Sequence, residues 1–115
     1  MRITIYHNPR CSKSRQTLEL LRDQGIEPVI IEYLKTPPDQ KTLKALLKKL
    51  GLSARQLMRR NEQAYKEAGL DNPGLSEADL IEAMVEQPVL IERPIVINGN
   101  KAALGRPPED VLKIL

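Results

Sequence analysis

Strand, helix, stop and strand follow one another inside the first 31 residues, and nothing else in the chain narrows its fold so far. Ile3, Thr4, Ile5 and Tyr6 read as a strand, His7-Asn8-Pro9 breaks it, and Ser12 to Gln24 reads as a helix. Leu18 and Leu21 lie along one side of that helix, Leu20 widens the apolar face, and Gly25 stands where a left-handed cap ends a helix. Val29, Ile30 and Ile31 then form a continuous apolar run, the pattern of a strand buried on both faces in a parallel sheet. Two strands and a helix joined this tightly make a βαβ unit.

That unit sets Cys11, the only cysteine, on the first turn of the helix. Unpaired backbone N–H groups and the positive end of the helix dipole favour an anion there. A cysteine so placed is expected to ionise more readily than a free thiol.

The middle of the chain is helical. Thr36-Pro37-Pro38 opens a segment in which Leu43, Leu46, Leu47 and Leu50 repeat at helical spacing, with Lys41, Lys44, Lys48 and Lys49 as its solvated side and Gly51 as its stop. Ser53 with Gln56 three residues later is a capping-box pattern for a short helix ending near Arg59. Ser76 opens another, carrying Leu80, Ile81, Met84 and Val85, that stops before Pro88. Strands resume with Ile95, Val96 and Ile97, which meet Lys101 to Leu104 across Asn98-Gly99, a dipeptide suited to a type I′ turn. A last helix is expected over Pro107 to Leu115.

The order βα, β, helical insert, ββα is that of an α/β thioredoxin-like, or glutaredoxin-like, fold. It reads as one domain over 1–115 with an insertion at about 38–87 between the second and third strands. Cys11 then occupies the reactive corner of the fold. Pro94 precedes the third strand, where that fold carries a cis proline facing the thiol, so a cis Arg93-Pro94 bond is expected.

Composition removes several chemistries. A chain of 115 residues buries about two thirds of its unfolded surface without needing a metal or disulfide. One cysteine forms no internal disulfide, and with no signal-peptide pattern or long apolar segment the expected compartment is the cytoplasm, with no membrane association. The net charge is +3, but the absence of Trp and Phe, with three Tyr, leaves few stacking platforms and disfavours nucleic acid. One Cys and one His are too few for zinc, and no Gly-rich phosphate cradle follows a strand. Thr17 stands six positions after Cys11, where a phosphatase-type loop needs arginine. Anionic small molecules remain as candidate ligands.

The segments Tyr6-His7-Asn8-Pro9-Arg10-Cys11-Ser12-Lys13-Ser14-Arg15, Glu92-Arg93-Pro94-Ile95-Val96 and Gly105-Arg106-Pro107 resemble the glutaredoxin-linked arsenate reductase family, in register over essentially the whole chain. The resemblance implies that Cys11 is the nucleophile and that Arg59, in Leu57-Met58-Arg59-Arg60-Asn61, joins Arg93 and Arg106 in binding the oxyanion. It also implies that His7 helps keep the thiol ionised, although His7 alone reads as a surface loop histidine. Ser14 either faces solvent or hydrogen-bonds the sulfur. Always-charged, planar guanidinium groups suit a tetrahedral oxyanion better than flexible ammonium groups do. The implied mechanism is a Cys11-arsenate adduct, attacked by glutathione as co-substrate and reduced through glutaredoxin to release arsenite. No bound cofactor is implied, and the chain is expected to be a monomer. With no second cysteine, the reducing equivalents come from outside.

Two other classes fit less of the sequence. A glutathione-dependent thiol reductase with another substrate would use the same corner. A regulator similar to the Spx family, which binds RNA polymerase, usually has a second cysteine three residues after the first, where this chain has Ser14.

Overall fold

The computed structural model describes residues 2–115, and the chain divides into two compact units, one running to Thr36 and resuming at Arg93–Leu115, the other spanning Pro37–Glu92. The first unit holds β1 (Ile3–His7), α1 (Ser12–Asp23), β2 (Val29–Glu32), β3 (Ile95–Asn98) and β4 (Lys101–Leu104). The sheet order, with β4 at one edge, is β2-β1-β3-β4; β2 runs parallel to β1, and the other pairs are antiparallel. This is the thioredoxin-like α/β arrangement anticipated from the sequence.

Alternation along β1 decides where the core lies. Ile5 pairs with Ile30 on one side and Val96 on the other, and it packs with Leu18, Leu21 and Val111 in a fully or nearly fully buried cluster. Each such aliphatic side chain contributes about 1.5–3 kcal/mol by leaving water. Helix α1 ends at Gly25 (φ 76°): Ile26 N–H donates to Leu21 O at 3.0 Å and Gly25 N–H to Arg22 O at 2.9 Å. These paired bonds satisfy the carbonyls that a helix end leaves open, in a conformation glycine adopts without steric cost.

Three local expectations are corrected. β2 is an edge strand rather than a doubly buried one, with Val29 and Ile30 exposed at 37% and 39%. β-Branched residues favour the pleated backbone there, but burial depends on neighbouring elements, which an apolar run does not reveal. The hairpin loop is Gly99-Asn100, one residue later than expected, because Asn98 pairs with Lys101. Only Gly99 has positive φ (62°), the sign pattern of a type II′ turn. The last helix is a 3-10 segment at Pro108–Ile114, with Pro107 as its N-cap and Pro108 as its first residue, rather than an α-helix over Pro107 to Leu115.

The second unit contains α2 (Gln40–Leu50), α3 (Ala54–Leu57), α4 (Gln63–Glu67) and α5 (Glu77–Glu86). Helix α2 begins at the Asp39 cap rather than at the prolines, and it buries Leu43, Leu46 and Leu47. Capping boxes at Ser53/Gln56 and Ser76/Asp79 start α3 and α5. The Arg55 guanidinium ties the unit together, donating to Tyr65 Oη at 2.7 Å, Leu70 O at 2.7 Å and Asn72 O at 3.0 Å. Helix α4, whose only buried residue is Tyr65, gave no periodic signal.

Helix α3 stops two residues before Arg59. Met58 is already extended and bridges Ile91, while Arg59 N–H donates to Leu90 O at 2.7 Å and Glu92 N–H to Leu57 O at 2.9 Å. Pairing of the chain with 90–92 thus outcompetes continuation of the helix.

Candidate active site

The reactive corner follows from how β1 passes into α1. After His7 the chain turns: Cys11 N–H donates to Asn8 O and Arg10 N–H to Asn8 Oδ1, each at 3.0 Å. The Asn side chain thus serves as an acceptor that fixes the turn around Pro9. Cys11 is extended (φ −93°, ψ 123°) and is the N-cap of α1, one position before the first turn where the sequence reading put it. Its carbonyl accepts the Arg15 amide at 3.0 Å.

The sulfur is partly exposed, and its electrostatics favour the thiolate. Partial burial opposes ionisation, but the Ser14 amide, the hydrogen bond and charge of the Arg93 guanidinium, and the Lys13 amide outweigh it, so the Cys11 thiol is held below its ordinary pKa. Arg106 lies on the same sulfur, with Nη2 3.7 Å from Sγ and Nε donating to Arg93 O at 2.9 Å.

The segment carrying Arg93 is fixed by its neighbours. Arg93-Pro94 is cis, as the fold led one to expect, and Arg106-Pro107 is cis as well. Gly105 N–H donates to Pro94 O at 3.0 Å, which ties the end of β4 to the start of β3. A Cβ on Gly105 would collide with Thr17 Oγ1 and lie 2.7 Å from Pro94 Cγ. Glycine at that point lets α1, Pro94 and the Arg106 segment meet.

His7 and Ser14 form a buried pair behind the sulfur. His7 is 6% exposed and ends β1, so it is a core residue rather than a surface loop histidine. Its Nδ1 lies 2.6 Å from Ser14 Oγ, which also accepts the Asn8 amide at 3.0 Å. A neutral imidazole protonated at Nε2 satisfies both bonds, with the serine hydroxyl donating to Nδ1. Burial holds His7 below its ordinary pKa, against the opposing charge of Glu32. The Ser14 hydroxyl therefore serves His7 and Asn8, and it is the Ser14 amide that acts on the sulfur.

Arg59 belongs to the helical unit. Nε donates to Glu62 at 3.0 Å and Nη1 to Glu92 at 2.6 Å; burial is outweighed by these carboxylates, and the guanidinium pKa is raised further. The neighbouring Arg60 is exposed. Asn8, Thr17 and Gly105 support the corner, a role the sequence did not assign to them; Asn8-Pro9 is itself a turn signal, whereas nothing local marks Thr17 as a packing partner of Gly105. Among the described residues no group of His, Cys, Asp and Glu could hold a metal ion, and no helix is long and apolar enough to cross a membrane.

Comparison with known proteins places this corner in a family. The ArsC family model matches residues 6–114. An arsenate reductase of Haemophilus influenzae is 53% identical over 116 residues, covering 100% of both chains. An uncharacterized protein of Escherichia coli K12, YfgD, is 58% identical over 114 residues, covering 98% of this chain and 96% of its own. The solved structure of an arsenate reductase from Vibrio cholerae superposes with a TM-score of 0.98 at 53% identity, covering 100% of this chain and 98% of that one. With family signal over nearly every residue and the same fold in a half-identical relative, the chain belongs to the ArsC family.

Proposed function

We propose that the protein is an arsenate reductase that works through a Cys11 thiolate adduct, with glutathione and glutaredoxin supplying electrons. The observation that carries this reading is the thiol at the cap of α1 with the Arg93 and Arg106 guanidinium groups on it. The activity named for the half-identical Haemophilus relative supports the choice of oxyanion.

Thiolate and guanidinium groups serve two stages. The arginines hold the oxyanion near the sulfur, offsetting the repulsion between two anions, and the same charges stabilise the thiolate that attacks arsenic. Condensation of the Cys11 thiol with arsenate releases one water and leaves arsenic pentavalent. Two external thiols then complete the turnover, one from glutathione and one from glutaredoxin. Their sulfurs are oxidised to a disulfide as arsenic accepts two electrons and leaves as arsenite. Overall, arsenate and two thiols give arsenite, a disulfide and water, which restores the Cys11 thiol. His7 and Ser14 hold the loop that aims the sulfur, and Pro94 follows Arg93, whose guanidinium acts on the thiol. Arg59 is assigned as the third oxyanion ligand on the family resemblance alone. The chain is assigned to the cytoplasm as a monomer.

The test is arsenate-dependent oxidation of NADPH coupled through glutathione, glutaredoxin and glutathione reductase. The parent protein should support it and Cys11→Ser should abolish it. Activity that persists in the serine variant removes the nucleophile, and absence of activity in the parent removes the substrate.

A further inference from the structure

On the side of the Cys11 loop facing β2 lies a cleft of about 270 Å³, lined in part by His7 and Asn8 of the corner already described. The rest of its wall is formed by Pro9 and Arg10, the two residues inside the turn closed by Cys11 N–H and Asn8 O, and it continues over Glu32, Leu34 and Lys35. Arg10 and Lys35 are exposed, and Lys35 makes a 3.5 Å ion pair with Glu32 at the surface. Such a pair contributes little stability and is easily exchanged for another partner. Leu34, 44% exposed, adds an apolar side chain to the lining.

We propose that this cleft is the docking place of the external thiol and that it takes a small peptide thiol bearing two carboxylates and one ammonium. The charge pattern carries the assignment: two cations, Arg10 and Lys35, and one anion, Glu32, face one shallow cleft. A tripeptide thiol such as glutathione presents the complementary set, with its carboxylates to Arg10 and Lys35 and its ammonium to Glu32. Arg10 directly precedes Cys11 in the chain, so a tripeptide held at Arg10, which spans at most about 10 Å when extended, lies beside the loop that carries the sulfur. The inference rests on the reading of Cys11 as a nucleophile that an outside thiol regenerates.

The test needs no arsenate. Cys11 is converted to its mixed disulfide with 5-thio-2-nitrobenzoate. An incoming thiol then attacks the Cys11 sulfur, loses its proton and expels the coloured thiolate, leaving a new mixed disulfide on Cys11. Rates are compared for glutathione and for mercaptoacetate, a thiol of the same net charge without the ammonium and peptide ends. In Arg10→Ala/Lys35→Ala the glutathione rate should fall about tenfold, the scale of one charge-assisted contact, while mercaptoacetate slows far less. Glu32→Gln should slow glutathione and leave mercaptoacetate unchanged. Equal slowing of both thiols means general attraction of anions and overturns the subsite; so does an unchanged glutathione rate. If these selective losses occur in a protein that fails the arsenate assay, the subsite stands and the reductase reading falls.

Discussion

Arg106 reaches across 95 positions of sequence to place Nη2 3.7 Å from Cys11 Sγ, and the same guanidinium is held at Nε by the carbonyl of Arg93, 2.9 Å away. One planar fork therefore links the thiol to the segment that carries the second arginine. A lysine keeps the positive charge but has no second, rigidly oriented donor with which to hold both partners. Arg106→Lys should raise the pH midpoint of Cys11 alkylation by iodoacetamide above that of the parent. It should also lower kcat/KM for arsenate on the order of tenfold or more. An unchanged midpoint would show that the guanidinium geometry does not matter to the sulfur.

Arg93 acts on the thiol through both a hydrogen bond and charge, so its removal should affect ionisation and oxyanion binding together. Arg93→Ala should raise the alkylation midpoint and weaken arsenate binding by about one to two orders of magnitude. Arg93→Lys should recover part of the ionisation effect, which depends on charge, and little of the binding, which depends on the fork. Equal recovery of both would count against bidentate recognition.

Much of the local structure was legible in the sequence because local chemistry determines it. Gly25 and Gly51 end helices in the left-handed conformation at the expected residues, and Pro94 is preceded by the expected cis bond. Cys11 missed its expected position by one residue, since the Asn8 turn holds it extended as a cap. What local pattern could not show were quantities set by distant partners. The exposure of Val29 and Ile30 depends on β2 being an edge, and the buried His7 has its partner in Ser14, seven positions along the chain. The two carboxylates on Arg59 lie 3 and 33 positions away, and the second is outside any local window. Gly105 occurs in a quoted motif, but its need for a missing side chain appears only once Thr17 and Pro94 are in place.

That requirement gives a stability prediction. Gly105→Ala puts a methyl against Thr17 Oγ1 and Pro94 Cγ, and neither neighbour yields easily: Thr17 is fully buried with its hydroxyl donating to Lys13 O at 2.8 Å, and Pro94 is a closed ring. Overpacking of this kind costs about 1–3 kcal/mol. Urea denaturation should show a lower midpoint with an unchanged slope. The displaced neighbours carry α1 and the Arg93 segment, so the alkylation rate of Cys11 should change as well. Stability equal to the parent would mean that the two elements separate without cost.

Behind the thiol, Ser14 satisfies the Asn8 amide and His7 Nδ1 at once. Ser14→Ala leaves a buried donor and a buried acceptor without that oxygen, a loss of about 2–6 kcal/mol at the usual penalty for each. His7 adds a pH dependence whose sign follows from the lowered pKa. Below the unfolded value of 6.5 the unfolded chain binds the proton more readily than the folded one. The stabilisation is therefore fully present above pH 6.5 and is lost as pH falls toward the folded pKa. His7→Asn, which keeps a polar atom near the position of Nδ1 but does not titrate, should flatten the fall in denaturation midpoint between neutral and mildly acidic pH. If parent and variant lose stability in parallel over that range, the acid sensitivity lies in other groups and His7 does not enter the folded state as the neutral imidazole.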